Sequence, residues 1–366
     1  MDLRERVVGI GRAHSLDAVG VAPAEILHRA RRELIERKAA GLHDGMQFTY
    51  KNPERSTDPF LAVPGARSVI VGARSYQRAD PGHGVGPQGR VARYAWEDHY
   101  APLRSALWEI ARDLRRLGHR AVAYADDNTV VDREVASRAG IGWFGKNANI
   151  LLPGRGSWFV LGCVITTAEI EPSEVVGDGC GTCRRCLDGC PTGAIIEPGV
   201  IDARRCLAWL VQKPGIFPME YREALGDRIY GCDDCQDVCP VNRRHDPEPD
   251  VPEGASTLQA WVPLLDLLSL GDSELLARFG RWYLHDREPR WLRRNALIAL
   301  GNTASHPGDG MSPADPGVVE VLQRYLCDPD PVLRAHAVWA TRRLGLVSLL
   351  PNTDSDPLVR AELSAQ

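Results

Sequence analysis

The sequence predicts three consecutive parts: an α/β N-terminal domain over residues 1–170, a two-cluster ferredoxin-like module over 171–245, and an α-helical HEAT-like repeat domain over 246–366. Three observations carry that division. Four cysteines in CGTCRRCLDGCP, from Cys180 to Cys190, stand at C-x2-C-x2-C-x3-C with Pro191 after the last, and most of a second copy, YGCDDCQDVCP, follows. Upstream of them, helical patterns alternate with short β-rich apolar runs. Downstream, PRWLRRNALIAL and PVLRAHAVWAT pair Leu292, Arg293, Ala296 and Ala299 with Leu333, Arg334, Ala337 and Ala340, an offset of 41 residues.

The 366 residues, 44% hydrophobic and 25% charged, give an ordinary globular composition with room for two or three domains. A net charge of −4 excludes a general basic coat, so any nucleic-acid contact has to come from a local patch. The longest apolar run, Trp158 to Ala168, is too short to span a bilayer. Nothing at the N-terminus resembles an export signal, so reduced, metal-bound cysteines in the cytoplasm are expected.

In the first part, the pattern from Ala24 to Ala40 predicts a helix whose Arg and Glu residues form its solvated face. The runs SVIVGA (Ser68 to Ala73) and WFVLGCVITTA predict strands. Between them, GLHDGM, the stretch from Glu54 to Tyr76, ARYAWEDHY, and Tyr124 to Asn147 are polar, Gly-rich and aromatic, as loops around a pocket would be. GIGWFGKN lacks the Lys-Ser/Thr pair of a phosphate loop, and no dinucleotide fingerprint is present. Asp126 reads on its residues alone as a turn or helix-capping group ahead of DREVASRAG.

The cysteine motif suits a 4Fe-4S cube. A tight loop aims three thiolates at one cube, while the fourth, carried off by the Pro turn, reaches a second. The partner motif has Ile229 where its first cysteine would fall, and Cys206 completes a count of eight. Crossing over then gives Cys180, Cys183, Cys186 and Cys239 to one cluster and Cys190, Cys206, Cys232 and Cys235 to the other. The alternative, a pair of Zn(Cys)4 sites, usually shows two separated C-x2-C pairs per metal. A disulfide framework is not needed in a chain of this length. Cys163 and Cys327 read as ordinary buried thiols.

Asp246 to Gly254 is Pro- and acid-rich and reads as a linker. After it comes the 41-residue repeat, within the HEAT and armadillo period, with a third start at DPLVRAEL. Arginine alternates with aromatics in RFGRWYLHDREPRWLRRN. Two readings are open for it: a core stripe with a solvated face, or a patch that meets nucleic acid through Arg290, Arg293 and Arg294.

The segments RSTDPFLAVPGARSVI, DREVASRAGIGWFGKN, CGTCRRCLDGCPTGAI, DRIYGCDDCQDVCPVN and RNALIALGN resemble the epoxyqueuosine reductase family over nearly the whole chain. The resemblance implies a cobalamin-binding α/β domain of the nitroreductase and cobalamin-processing type, two 4Fe-4S clusters, and helical repeats that hold tRNA. It implies Asp126 as catalytic acid, and Arg55, Tyr94, His99, Trp143, Lys146, Asn147 and Trp209 as cofactor contacts. The implied partners are a tRNA with a queuosine-type anticodon and an external low-potential donor of flavodoxin or ferredoxin type, with the chain acting as a monomer. The chain departs from the family's D-S-x-P-x-L-E-R at Asp126 to Arg133, and Cys206 is followed by LAWLVQK rather than the common I-S-Y-L-T-I-E. The neighbouring alternatives are a reductive dehalogenase and an electron-transfer ferredoxin subunit with a protein-binding array.

Overall fold

The computed structural model describes residues 2–48, 50–243, 259–304 and 315–365. The Asp246 to Gly254 linker lies outside the described residues. The chain divides into two compact units. One is built from Met1–Ala79, Asp98–Cys206 and Asp234–Glu248, the other from Asp80–Glu97, Leu207–Asp233 and Pro249–Gln366. These units are drawn along other lines than the expected division at 170 and 245. Strand Arg228–Tyr230 pairs with Gln88–Val91, which also pairs with Trp261–Pro263, so hydrogen bonding gathers three distant segments into the second unit.

The first unit is organised on four strands, β1 (Ala18–Pro23), β2 (Ser68–Ser75), β3 (Ala121–Ala125) and β4 (Phe159–Thr166), in the order β1-β2-β4-β3. Every neighbouring pair is antiparallel. β2 and β4 read as continuous apolar runs because the central pair is covered on both faces. On one face Val69, Val71, Ala73, Cys163 and Ile165 pack with Val135 and Ala136 of helix Asp132–Arg138. Helix Tyr100–Arg116 covers the opposite face, burying Leu103, Leu107, Ile110 and Leu114. Gly72 and Gly162 stand opposite each other in the β2–β4 register. A Cβ at Gly162 would come within 2.7 Å of Leu107, so the glycine pair is what admits that side chain.

The second unit is mainly helical. Its helices Pro316–Leu326, Pro331–Arg343 and Pro357–Ser364 each open on an Asp cap followed by proline, with Asp315, Asp330 and Asp356 accepting from the second backbone N–H beyond them. The aligned helices Arg290–Thr303 and Pro331–Arg343 pack on each other, as the 41-residue offset predicts. The matched arginines serve the same end. Arg293 bonds Asp272 and the Leu270 carbonyl, and Arg334 bonds Asp354 and the Asp328 carbonyl.

Cys163 is buried as expected, but Cys327 is exposed. It follows the last buried residue of its helix, Leu326, at the C-cap, where the chain turns outward.

Candidate active site

Strand β3 ends on Tyr124 and Ala125, and the next residue, Asp126, adopts a left-handed backbone with φ 55°. Asp and Asn tolerate that conformation better than other side chains. The turn continues through Asp127, whose Oδ1 accepts from the Thr129 N–H at 2.8 Å, into helix Asp132–Arg138. Asp126 stays open to solvent at its surface. Partial burial nevertheless raises its carboxyl above the ordinary range, with Arg104 pulling it down and Asp127 pushing it up. Asp132 is more enclosed. Burial pushes its carboxyl up to about 8, against the pull of Arg133 and with further lift from Asp126 and Asp127.

Behind them Cys163, opposite Tyr124 in the β3–β4 register, is held as a thiol by burial and by Asp132 and Asp127. Burial also raises the Tyr124 phenol, and the nearby Arg55 guanidinium lowers it. Arg55, Tyr124, Asp126, Asp127 and Asp132 thus share one electrostatic neighbourhood. It can store protons at neutral pH and release them to a basic oxygen.

The cysteines gather elsewhere in the same unit. Burial pushes the Cys186 thiol up to about 11, and Cys180, Cys239 and Cys183 raise it further through their own charge. That influence brings together the four residues assigned to the first cube from spacing alone. Trp143 Nε1 donates to Cys180 Sγ at 3.4 Å, and the Ala194 N–H donates to Cys190 Sγ at 3.2 Å. Among the described residues, no three His, Cys, Asp or Glu side chains converge as a single ion would need.

Three of the expected cofactor contacts turn out to serve these loops. Besides Trp143, Lys146 Nζ donates to the Gly181 carbonyl at 2.7 Å and Asn147 Nδ2 to the Cys235 carbonyl at 3.3 Å. A Cβ at Gly179 would meet the Trp143 ring at 2.6 Å, so that glycine lets the indole lie against the loop. His99 is buried, with its ring 5.8 Å from that of Tyr76. Arg55 is exposed. Tyr94 and Trp209 belong to the second unit, where Tyr94 lies 6.2 Å from Tyr230. Cys232 is also in that unit, packed against the cluster of Leu207, Leu210, Phe217 and Ile298.

Of the expected RNA patch, Arg294 is corrected. Arg294 is 1% exposed and donates to the carbonyls of Leu210, Val211, Lys213 and Gly215 and to Asn295 Oδ1. It has no donor left for a phosphate. Arg293 is committed to Asp272 and Leu270, and Arg290, the most exposed of the three, pairs with Glu288 and Asp330. Phe279, Trp282 and Trp291 are core residues, and only Tyr283 of that aromatic run faces solvent. Interleaved Arg and aromatic residues here are a helix packing on carbonyl-rich loops.

Fold and site together define an iron-sulfur protein with an acid-bearing α/β unit and a helical-repeat unit. Three family models match: epoxyqueuosine reductase QueG, DUF1730, over residues 57–127; a 4Fe-4S double cluster binding domain over 179–242; and a HEAT-like repeat over 290–340. The double-cluster match overturns the zinc alternative. Epoxyqueuosine reductase of Bacillus cereus is 34% identical over 94% of this chain and 89% of that protein. The Bacillus subtilis protein is 33% identical over 94% and 88%.

Among solved structures, epoxyqueuosine reductase with an epoxyqueuosine-modified tRNA-Tyr stem loop superposes with a TM-score of 0.85 at 30% identity, covering 99% of this chain and 96% of that one. A structure of the Bacillus subtilis enzyme with its catalytic aspartate loop swung out of the active site gives 0.84 at 29%, over 99% and 97%. The chain belongs to the epoxyqueuosine reductase family. The cofactors of that family are cobalamin and two 4Fe-4S clusters. No helix of the described residues is long and apolar enough to cross a membrane.

Two expectations follow. Removing Arg294 strands several buried carbonyls at about 1–3 kcal/mol each, so Arg294→Ala should melt far below wild type while Arg290→Ala melts near it. Parallel thermal melts check this, and equal melts would return Arg294 to the surface. The second concerns pH. The Asp132 pKa is about 8 when folded and about 3.9 when unfolded, so the stability its neutral form contributes is present below about pH 4 and lost as pH rises through about 8. Asp132→Asn should track wild type in acid and melt higher than wild type above that window. Wild type and variant falling in parallel would mean a solvated carboxylate.

Proposed function

We infer that this chain reduces epoxyqueuosine to queuosine at the wobble position of tRNA. The membership of the chain in its family, over nearly its full length, carries this reading. Opening an epoxide to an alkene with loss of its oxygen as water takes two electrons and two protons. Cobalamin, when bound, supplies the reactive metal centre at which the two electrons reach the epoxide carbon. Cys180, Cys183, Cys186 and Cys239 hold one cluster of the relay, and Cys190, Cys206, Cys232 and Cys235 hold the other. Arg55 and His99 are the first-unit side chains we assign to the cobalamin pocket. Arg55 suits that role because it stands exposed near Tyr124, at the foot of the acid turn. The likeness of the α/β unit to nitroreductase and cobalamin-processing folds belongs to the same reading.

Asp126 is the general acid. Its carboxyl sits on a turn open to a ligand, and partial burial raises its hold on a proton, as a group that protonates the oxygen of an opening epoxide needs. The charge of Asp127 adds to burial in raising the affinity of Asp126 for its proton. A tRNA substrate and reduced thiols go with a cytoplasmic, monomeric enzyme fed by a flavodoxin or ferredoxin.

Asp126→Asn keeps the shape and removes the proton. Turnover on tRNA carrying epoxyqueuosine should drop by roughly two to four powers of ten, with iron, cobalamin and tRNA binding retained. Normal turnover would make Asp126 a turn residue only. Cys206→Ser should cost one cluster and leave the other, seen as a partial loss of iron and sulfide. Full iron with unchanged spectra would show that Cys206 is not a ligand.

A further inference from the structure

The run CQDVCPVN carries two amides that the electron relay does not itself require. Gln236 and Asn242 are 7% and 1% exposed. Gln236 Nε2 donates to the Tyr76 hydroxyl at 3.1 Å and to the Ser157 carbonyl at 3.2 Å, and lies 3.1 Å from Ser157 Oγ. Asn242 Nδ2 donates to Ser157 Oγ at 3.0 Å and to the Gln236 carbonyl at 2.8 Å, while its Oδ1 accepts from the Ser157 N–H at 2.7 Å. Room for Asn242 is kept by Gly156. There φ is +75° and a Cβ would stand 2.0 Å from Asn242 Oδ1. Fully satisfied buried amide networks fix one arrangement, because any slip leaves a polar group unpaired in the interior.

The position of the network gives it a consequence. Tyr76 directly follows β2 and Ser157 lies just before β4, and Ser75 and Phe159 are partners in the central pair of the sheet. On the other side, Gln236 stands between Cys235 and Cys239, which the spacing assigns to different clusters. Asn147 adds its bond to the Cys235 carbonyl. The Tyr76 ring in turn lies 5.8 Å from that of His99 and 5.9 Å from that of Trp158.

We propose that Gln236, Asn242 and Ser157 are positioning residues that fix one ligand of each cluster to the ends of β2 and β4, setting where both clusters stand relative to the cobalamin pocket beside His99. An apolar plug would fill the same space without direction. Amides hold the 235–242 segment in one register, and electron delivery depends on that register. The proposal rests on the cluster and cobalamin assignments above.

The test uses anaerobically purified holoenzyme. Asn242→Ala and Gln236→Ala should keep iron, sulfide and cobalamin, yet shift the electron paramagnetic resonance signals and midpoint potentials of both clusters. Single-turnover reduction of the bound cobalamin, without tRNA, should slow by about tenfold. Tyr76→Phe, which removes one acceptor, should shift them less. If either alanine variant fails to fold, Gln236→Glu, which keeps the shape but loses the donor, gives the same readout. Unchanged signals and potentials with only a lower Tm would make the network mere packing and overturn the proposal. A shift confined to one cluster would overturn it as well. Cys206 is outside the network, so Cys206→Ser retaining both clusters would fault the ligand assignment and not the lock.

Discussion

Two iron-sulfur clusters are carried by residues 179–242, where the cysteines stand on loops and single-turn helices outside any strand ladder. Ligand loops of that kind cannot hold their shape by packing, so directional bonds from neighbouring secondary structure must do it. In the first unit the indole of Trp143, the ammonium of Lys146 and the amides of Asn147, Gln236 and Asn242 reach the cysteine-bearing loops. In the second, Arg294 and Asn295 span the carbonyls of Leu210, Val211, Lys213, Gly215 and Ile229. Apart from the Trp143 indole, which meets a cysteine sulfur, the donors in both sets reach backbone carbonyls. A carbonyl in a loop has no ladder partner, and leaving it unpaired in the interior costs more than the bond gains in water.

The acid turn follows a different logic. Asp127 opposes ionisation of Asp126, and both oppose ionisation of Asp132, while the strand behind them contributes a neutral thiol rather than a counter-charge. Arg104, Arg133 and Arg55 moderate the field without cancelling it. A proton is therefore retained where bulk water would remove it, which an acid acting on a weakly basic epoxide oxygen needs.

The arginines of the repeat helices show how one residue type divides its work. Arg293 and Arg334 occupy equivalent repeat positions and each ties its helix to a carboxylate and a carbonyl of a neighbouring turn. Arg294, one residue on, turns inward, where burial lowers its pKa to about 9. Arg222 is likewise buried and paired, with Glu362. A chain of net charge −4 spends much of its positive charge on its own backbone.

The cysteine spacing by itself pointed to a double-cluster domain, because C-x2-C-x2-C-x3-C-P and the partial copy after it are local patterns suited to cubes. The 41-residue offset determined the repeat helices, because each helix of such an array packs on the next through the same positions. The apolar runs determined β2 and β4. What the sequence could not decide was direction. Arg290, Arg293 and Arg294 are near neighbours on one helix, and only the packing of segment 207–215 against it turns Arg294 inward. Trp143, Lys146 and Asn147 read as pocket residues until tertiary structure brings Cys180, Gly181 and Cys235 to them. The division into units also waited on the fold, since strand pairing joins residues that lie far apart in the chain and leaves no periodic trace in any one of them.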